Sequence, residues 1–217
     1  ITKRKQREEA LTTLQETARD FLYAETHHEI AQHVVDDTAD VVDLDASAVY
    51  LFDTDTNELR PTAHSARMKA LHGPLPASRA DGEDLVSYSF VENEPLCYDD
   101  VHTAERLTNH ATDLRSAIYI PLGEHGVFVA GSDTVGAFDE ITRELADLLA
   151  ATAEAALDRV SRESRLRQQD RTLQQQNEQL TRLNRINETI REIDQAIVEA
   201  ETRTEIDHAV CELLTDD

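Results

Sequence analysis

The residues whose types and spacing invite chemistry are a few histidines, two cysteines and a small set of aromatics. His27, His28, Glu29 and His33 put Glu29 and His33 one helical turn apart, a pair able in principle to hold a metal. No third ligand falls on the same stretch, so a solvated helix face and no metal are expected. His102 and His110 lie near Asp99, Asp100 and Asp113, where they could contact a polar ligand or simply form loop surface. Cys97 and Cys211 show neither metal-ligand spacing nor a disulfide framework. Cys97, on an expected short buried strand, reads as a small packed hydrophobe. With no glycine-rich phosphate loop and no nucleophile elbow, neither a catalytic residue nor a cofactor is expected.

The aromatics make the better site. Tyr50 and Phe52 are two apart on an expected strand and so share one sheet face, opposite Val49 and Leu51. Tyr119 alternates with Ile118 and Ile120 on another strand and joins the aromatic face. Tyr98, His110 and Arg115 supply polar tips, making Tyr50, Phe52, Tyr98, His110, Arg115 and Tyr119 the ligand-pocket candidates. Two irregular stretches, 65–82 and 99–115, must cover this face, because the helices of the chain carry aliphatic stripes. A closed secondary core without ligand is the competing expectation.

The elements that must position these residues read as α/β (α+β): an antiparallel central sheet covered by helices. Residues 48–52, 59–64, 117–122 and 127–130 are apolar runs, the last two joined by Gly123-Glu124-His125-Gly126 as a hairpin. Their continuous apolarity implies cover on both faces. Pro121 belongs at an edge or a strand end. Leu11, Leu14, Ala18 and Phe21 form a helical stripe. Thr26 with Glu29 forms a capping box for a second helix carrying Ile30, Val34, Val35 and Val41. After Phe138, Ile141, Leu145, Leu148, Thr152 and Ala155 form a stripe expected to face the sheet. Leu166, Leu173 and Leu180 then recur at seven, with Leu183 and Ile190 on a second seam and Asn187 continuing the first. This spacing predicts long terminal helices that form a coiled-coil or helical-bundle homodimer, with Leu166, Leu173, Leu180, Leu183, Asn187 and Ile190 as its seam. Gln169 and Gln176 weaken the early heptads. A single amphipathic helix packing within its own monomer is the alternative.

The 217 residues carry a formal charge of −23, and only Lys3, Lys5 and Lys69 are lysine. Such a surface repels phosphates, so direct nucleic-acid binding by this chain is not expected. It suits concentrated salt, where carboxylate repulsion is screened. No apolar run is long enough to span a bilayer. The absence of a signal peptide and the cysteine usage lead to the expectation of a cytoplasmic protein.

An internal repeat organises the chain. An ungapped offset of 176 aligns Leu14 with Ile190, Glu16 with Glu192, Ala24-Glu25-Thr26 with Ala200-Glu201-Thr202, and Glu29-Ile30 with Glu205-Ile206. The expected layout is therefore an entry helix over 1–24, a sheet domain over 25–160, a coiled-coil linker over 161–187, and the opening helices of a second copy over 188–217.

The order of entry helix, Ser47 to Asp53, Asn57-Glu58-Leu59, Gly82 to Val86, Glu92 to Leu96, Arg115 to Leu122 and Phe138-Asp139-Glu140 resembles a GAF domain across about residues 11–160. Residues 175–188 are similar to the linker that precedes GAF repeats in haloarchaeal regulators of the bacterio-opsin activator type. The resemblance implies a non-enzymatic sensor or signal-transduction module of a transcriptional regulator, with an unknown small molecule as possible partner. Its alternatives are a ligand-free dimerisation spacer and the input region of a sensor histidine kinase. The cyclic-nucleotide, bilin and methionine-sulfoxide-reductase members of the fold need an Asn-Lys pair, a placed Cys or several cysteines, and these do not carry over.

Overall fold

The computed structural model describes the backbone from residue 2 to residue 199, and side chains from residue 12 to 195 together with Val198. The expected second helix of a repeat, beginning at Thr202, lies outside the described residues. Two compact units divide at residue 162.

In the first unit, α1 (Thr2–Tyr23) and α2 (His27–Val42) precede β1 (Ala46–Asp53) and β2 (Glu58–His64). The short α3 (Ala66–His72), β3 (Ser78–Arg79), α4 (Leu85–Glu92) and β4 (Leu96–Tyr98) follow. The hairpin of β5 (Ser116–Pro121) and β6 (Gly126–Ser132) then leads to α5 (Glu140–Glu199). The strands form one sheet in the order β3-β2-β1-β6-β5-β4, and every neighbouring pair is antiparallel. Pro121 closes β5, where a missing amide donor costs the ladder least.

Local chemistry explains the boundaries. The Thr26 hydroxyl accepts from the Glu29 amide at 3.2 Å, while the Glu29 carboxylate accepts from the Thr26 amide at 3.3 Å, a complete capping box. Gly126 has φ +152, and a Cβ there would sit 1.9 Å from the Tyr50 carbonyl oxygen, so only glycine lets β6 meet β1 at this point.

The alternation of β1, β5 and β6 sorts the core into two clusters. Val49, Ile118, Ile120, Phe128 and Ala130 pack with α1, α2 and the domain part of α5. Tyr50, Tyr119, Val127 and Val129 pack with α3, α4 and the segment 101–114. The face assignment of the two tyrosines is therefore as the strand alternation predicts.

Three sequence expectations need correction. The α5 stripe is rotated: Leu145, Ala146, Leu149, Ala150, Ala153, Ala156, Leu157 and Val160 are buried, whereas Leu148 and Ala155 are exposed. Small alanines let the helix approach the sheet closely, so they rather than Leu148 face it. The stretch 65–82 contains a helix, α3, capped by the Ser65 hydroxyl accepting from the Met68 amide. Cys97 does lie on a short strand, but β4 is the sheet edge and its side chain is exposed.

The second unit holds α5 beyond residue 162. Leu166, Leu173, Leu180, Leu183 and Ile190 are all exposed there, as is Asn187. Among the described residues no helix is long and apolar enough to cross a membrane.

Candidate functional site

The face of the sheet carrying Tyr50 and Tyr119 encloses a cavity of about 50 Å³. Val129 and Ala48 form its floor with the two tyrosines, Met68 and His72 come from α3, Leu85 from α4, and Leu107, Asn109 and Leu114 from the long segment between β4 and β5. Tyr50 is 5 % exposed and Tyr119 6 %, yet among the described residues neither hydroxyl has a hydrogen-bond partner. Burial, with Asp84 nearby, pushes the Tyr50 phenol up, and burial beside Tyr50 does the same at Tyr119, so both stay protonated donors.

The remaining polar groups are occupied in holding the cover in place. Asp84 caps α4, its carboxylate accepting from the Val86 and Ser87 amides and from the Ser78 hydroxyl. The Asn109 amide donates to the His72 carbonyl at 2.7 Å, and the Thr112 hydroxyl donates to the Leu71 carbonyl at 3.1 Å. Arg106 lies 4.3 Å from the centre of the Tyr88 ring and donates to the Glu83 carbonyl, tying the segment to α4. His72 shares a hydrogen between Nδ1 and the Pro74 carbonyl at 3.2 Å, which leaves Nε2 as the free ring acceptor in the neutral form. Burial pulls its pKa down and favours that form.

Of the six sequence candidates, Tyr50 and Tyr119 line the cavity and four do not. Phe52 stacks on Phe90 with ring centres 5.0 Å apart, beyond the cavity. Tyr98 packs against the same apolar cluster from the edge strand β4. His110 is exposed, and Arg115 is turned outward to Asp100 at 3.1 Å. The contributors that sequence reasoning missed are His72, Asp84, Arg106 and Asn109. A signal existed for two of them: Asp84 stands directly before an apolar helical run as an N-cap, and His72-Gly73-Pro74 has the form of a helix end.

The histidines at 27–33 are engaged elsewhere. The Glu29 carboxylate is engaged in the capping box, and the His33 ring sits against Phe21 with centres 6.4 Å apart. Among the described residues no group of three potential ligands is assembled.

A family model for the GAF domain matches residues 24–158. A Haloferax volcanii protein named as a candidate transcriptional regulator is 31 % identical over 195 residues, covering 87 % of this chain and 30 % of that protein. The chain thus spans about a third of the length of that curated relative. Among solved structures, the GAF domain of a phosphoenolpyruvate-protein phosphotransferase from Coxiella burnetii superposes with a TM-score of 0.60 at 17 % identity, covering 72 % of this chain and 97 % of that one. The free methionine-R-sulfoxide reductase of Neisseria meningitidis, solved with its substrate, gives a TM-score of 0.60 at 19 % identity over 71 % of this chain and 91 % of that one. These likenesses establish the fold.

Proposed function

The chain belongs to the GAF domain family, and from that premise we propose that it is a non-enzymatic sensor module of a cytoplasmic transcriptional regulator. In this reading it passes a small-molecule signal to dimeric helices. The observation that carries the reading is a pair of buried tyrosines, Tyr50 and Tyr119, that line a cavity under a cover made mostly of loops, their hydroxyls without protein partners among the described residues. With His72 also lining the cavity, they suit a small polar molecule that can both donate and accept hydrogen bonds. The relative from Haloferax supports the regulatory context. A reductase-like activity finds less support, since the domain has one cysteine, Cys97, and it lies on the sheet edge rather than in the cavity.

A second reading is favoured by the size of the cavity. About 50 Å³ holds a few waters, whereas ligand pockets run to roughly 300–1,000 Å³. A ligand therefore requires the cover over 66–82 and 99–115 to lift; without that, the domain is a spacer whose pocket is filled by its own side chains. Extraction of the purified protein with denaturant, followed by mass spectrometry, separates the two. A small molecule recovered in near-stoichiometric amount from the parent and depleted at least tenfold in Tyr50→Phe/Tyr119→Phe supports the sensor. Equal extracts from both proteins favour the spacer.

Leu166, Leu173, Leu180 and Leu183, each between 56 and 61 % exposed along one helix, support dimerisation through the linker. Light scattering in molar salt, where the −23 charge is screened, is expected to give about twice the chain mass of 24.4 kDa. A monomer at tens of micromolar would remove this part of the reading.

A further inference from the structure

Six arginines fall between β1 and the first turn of α5, and all but one of them are matched to carboxylates. Arg60 pairs with Asp53 and Glu58, Arg67 with Asp133, Arg79 with Asp81, Arg115 with Asp100, and Arg143 with Asp99. Arg106 has no carboxylate partner among the described residues, in a chain with 44 acidic side chains against 21 basic ones. Its guanidinium rests on the Tyr88 ring, and Nη1 donates to the Glu83 carbonyl at 3.3 Å. No described residue accepts from Nε or Nη2, the two-donor edge that meets a carboxylate side-on.

Arg106 also lines the cavity, and it does so at the mouth. Tyr50, Tyr119 and Val129 are buried at the floor, whereas Arg106 and Thr108 are exposed and His72 is half-buried, so the cavity meets solvent on the side of Arg106. The other acidic or basic liner beside His72, Asp84, has both carboxylate oxygens engaged, by the Val86 and Ser87 amides and by the Ser78 hydroxyl. What remains for a ligand to answer is a single guanidinium.

We propose that Arg106 reads a carboxylate on the molecule that the cavity takes, so that the ligand is a small organic acid with one negative charge. This rests on the cavity being a ligand site. A carboxylate matches the planar guanidinium with two parallel hydrogen bonds. A phosphate dianion would bring a second charge with no second cation to meet it, and Asp84 in the same lining would repel it. Arg106 is also the tie between the segment 99–115 and α4. An anion that draws the guanidinium to itself therefore loosens the cover where the ligand has to enter.

Acetate, small enough for the cavity as it stands, and its neutral isostere acetamide test the proposal in the full chain. Met68 is the only methionine and lines the cavity, so its isotope-labelled methyl group gives one NMR signal from the site. At constant ionic strength, acetate is expected to shift that signal to saturation. Acetamide in the parent, and acetate in Arg106→Gln, should each need about tenfold more, the loss of one charge-assisted pair. Arg106→Lys, which keeps the charge, should stay within about threefold of the parent. Equal midpoints for acetate and acetamide in the parent would overturn the proposal without reference to any variant. Equal acetate midpoints in the parent and Arg106→Gln, or no response to acetate, would overturn it too. A neutral molecule recovered by the denaturant extraction would remove this inference and leave the sensor reading standing; equal extracts from the parent and the double tyrosine variant would remove both.

Discussion

The two faces of the central sheet are covered by opposite strategies. On one, α1, α2 and α5 lay continuous aliphatic stripes over Val49, Ile118, Ile120 and Phe128. On the other, two short helices and a long segment cover Tyr50 and Tyr119, held down by side chain to backbone hydrogen bonds such as Asn109 to His72 and Arg106 to Glu83. A helix presents a regular ridge that fills the pleat of a sheet, so the first face closes. An irregular cover spends its polar groups on its own backbone and meets the sheet unevenly, so the second retains a cavity. The difference separates a face that packs closed from one that keeps a cavity.

The sharpest measure of that difference is the cost of a truncated leucine. Leu149→Ala, on the sheet-facing side of α5 at 0 % exposure, is expected to cost about 4–5 kcal/mol, the upper end for such a change, because flanking helices cannot collapse into the gap. Leu107→Ala, in the segment beside the existing cavity, is expected to cost nearer 2 kcal/mol, since its backbone can settle inward. Urea titrations of both variants make the comparison, and equal losses would break it.

A smaller effect is expected at Tyr119→Phe. Removing a cavity-lining hydroxyl that has no protein partner among the described residues should leave stability unchanged or raise it by up to about 1 kcal/mol. A loss of that size would show that the hydroxyl is bound to something in solution, and would sharpen the contrast in favour of an occupied cavity.

The smallest effect concerns pH, with one histidine near each cluster. Burial lowers the pKa of His27, at the start of α2, with His125 adding to the effect, and burial lowers that of His72 at the end of α3. The unfolded chain then binds protons below pH 6.5 that the folded chain does not, so stability falls as pH drops from about 7 to 5. His27→Gln and His72→Gln should each flatten that slope in thermal melts. A slope unchanged in His72→Gln alone would mean that the loop-covered face opens without cost and admits the proton.

Reading the chain from residues alone reached the main strands, α2 and the faces of β1 and β5, because those follow from short-range rules. Alternation at period 2 sent Tyr50 one way and Val49 the other, the Thr26 and Glu29 pair started α2, and Gly123 to Gly126 turned the hairpin. What encloses the cavity was decided by contacts between segments far apart in the chain. Asn109 reaches back to His72, and Arg106 to Glu83, while Arg115, seven residues short of Leu122, is drawn outward by Asp100. The rotation of the α5 stripe belongs with these, since Leu148 and Leu149 are equally apolar and only the approach of the helix to the sheet selects between them. Local pattern determines which residues can be buried; the fit of one element against another determines which of them are.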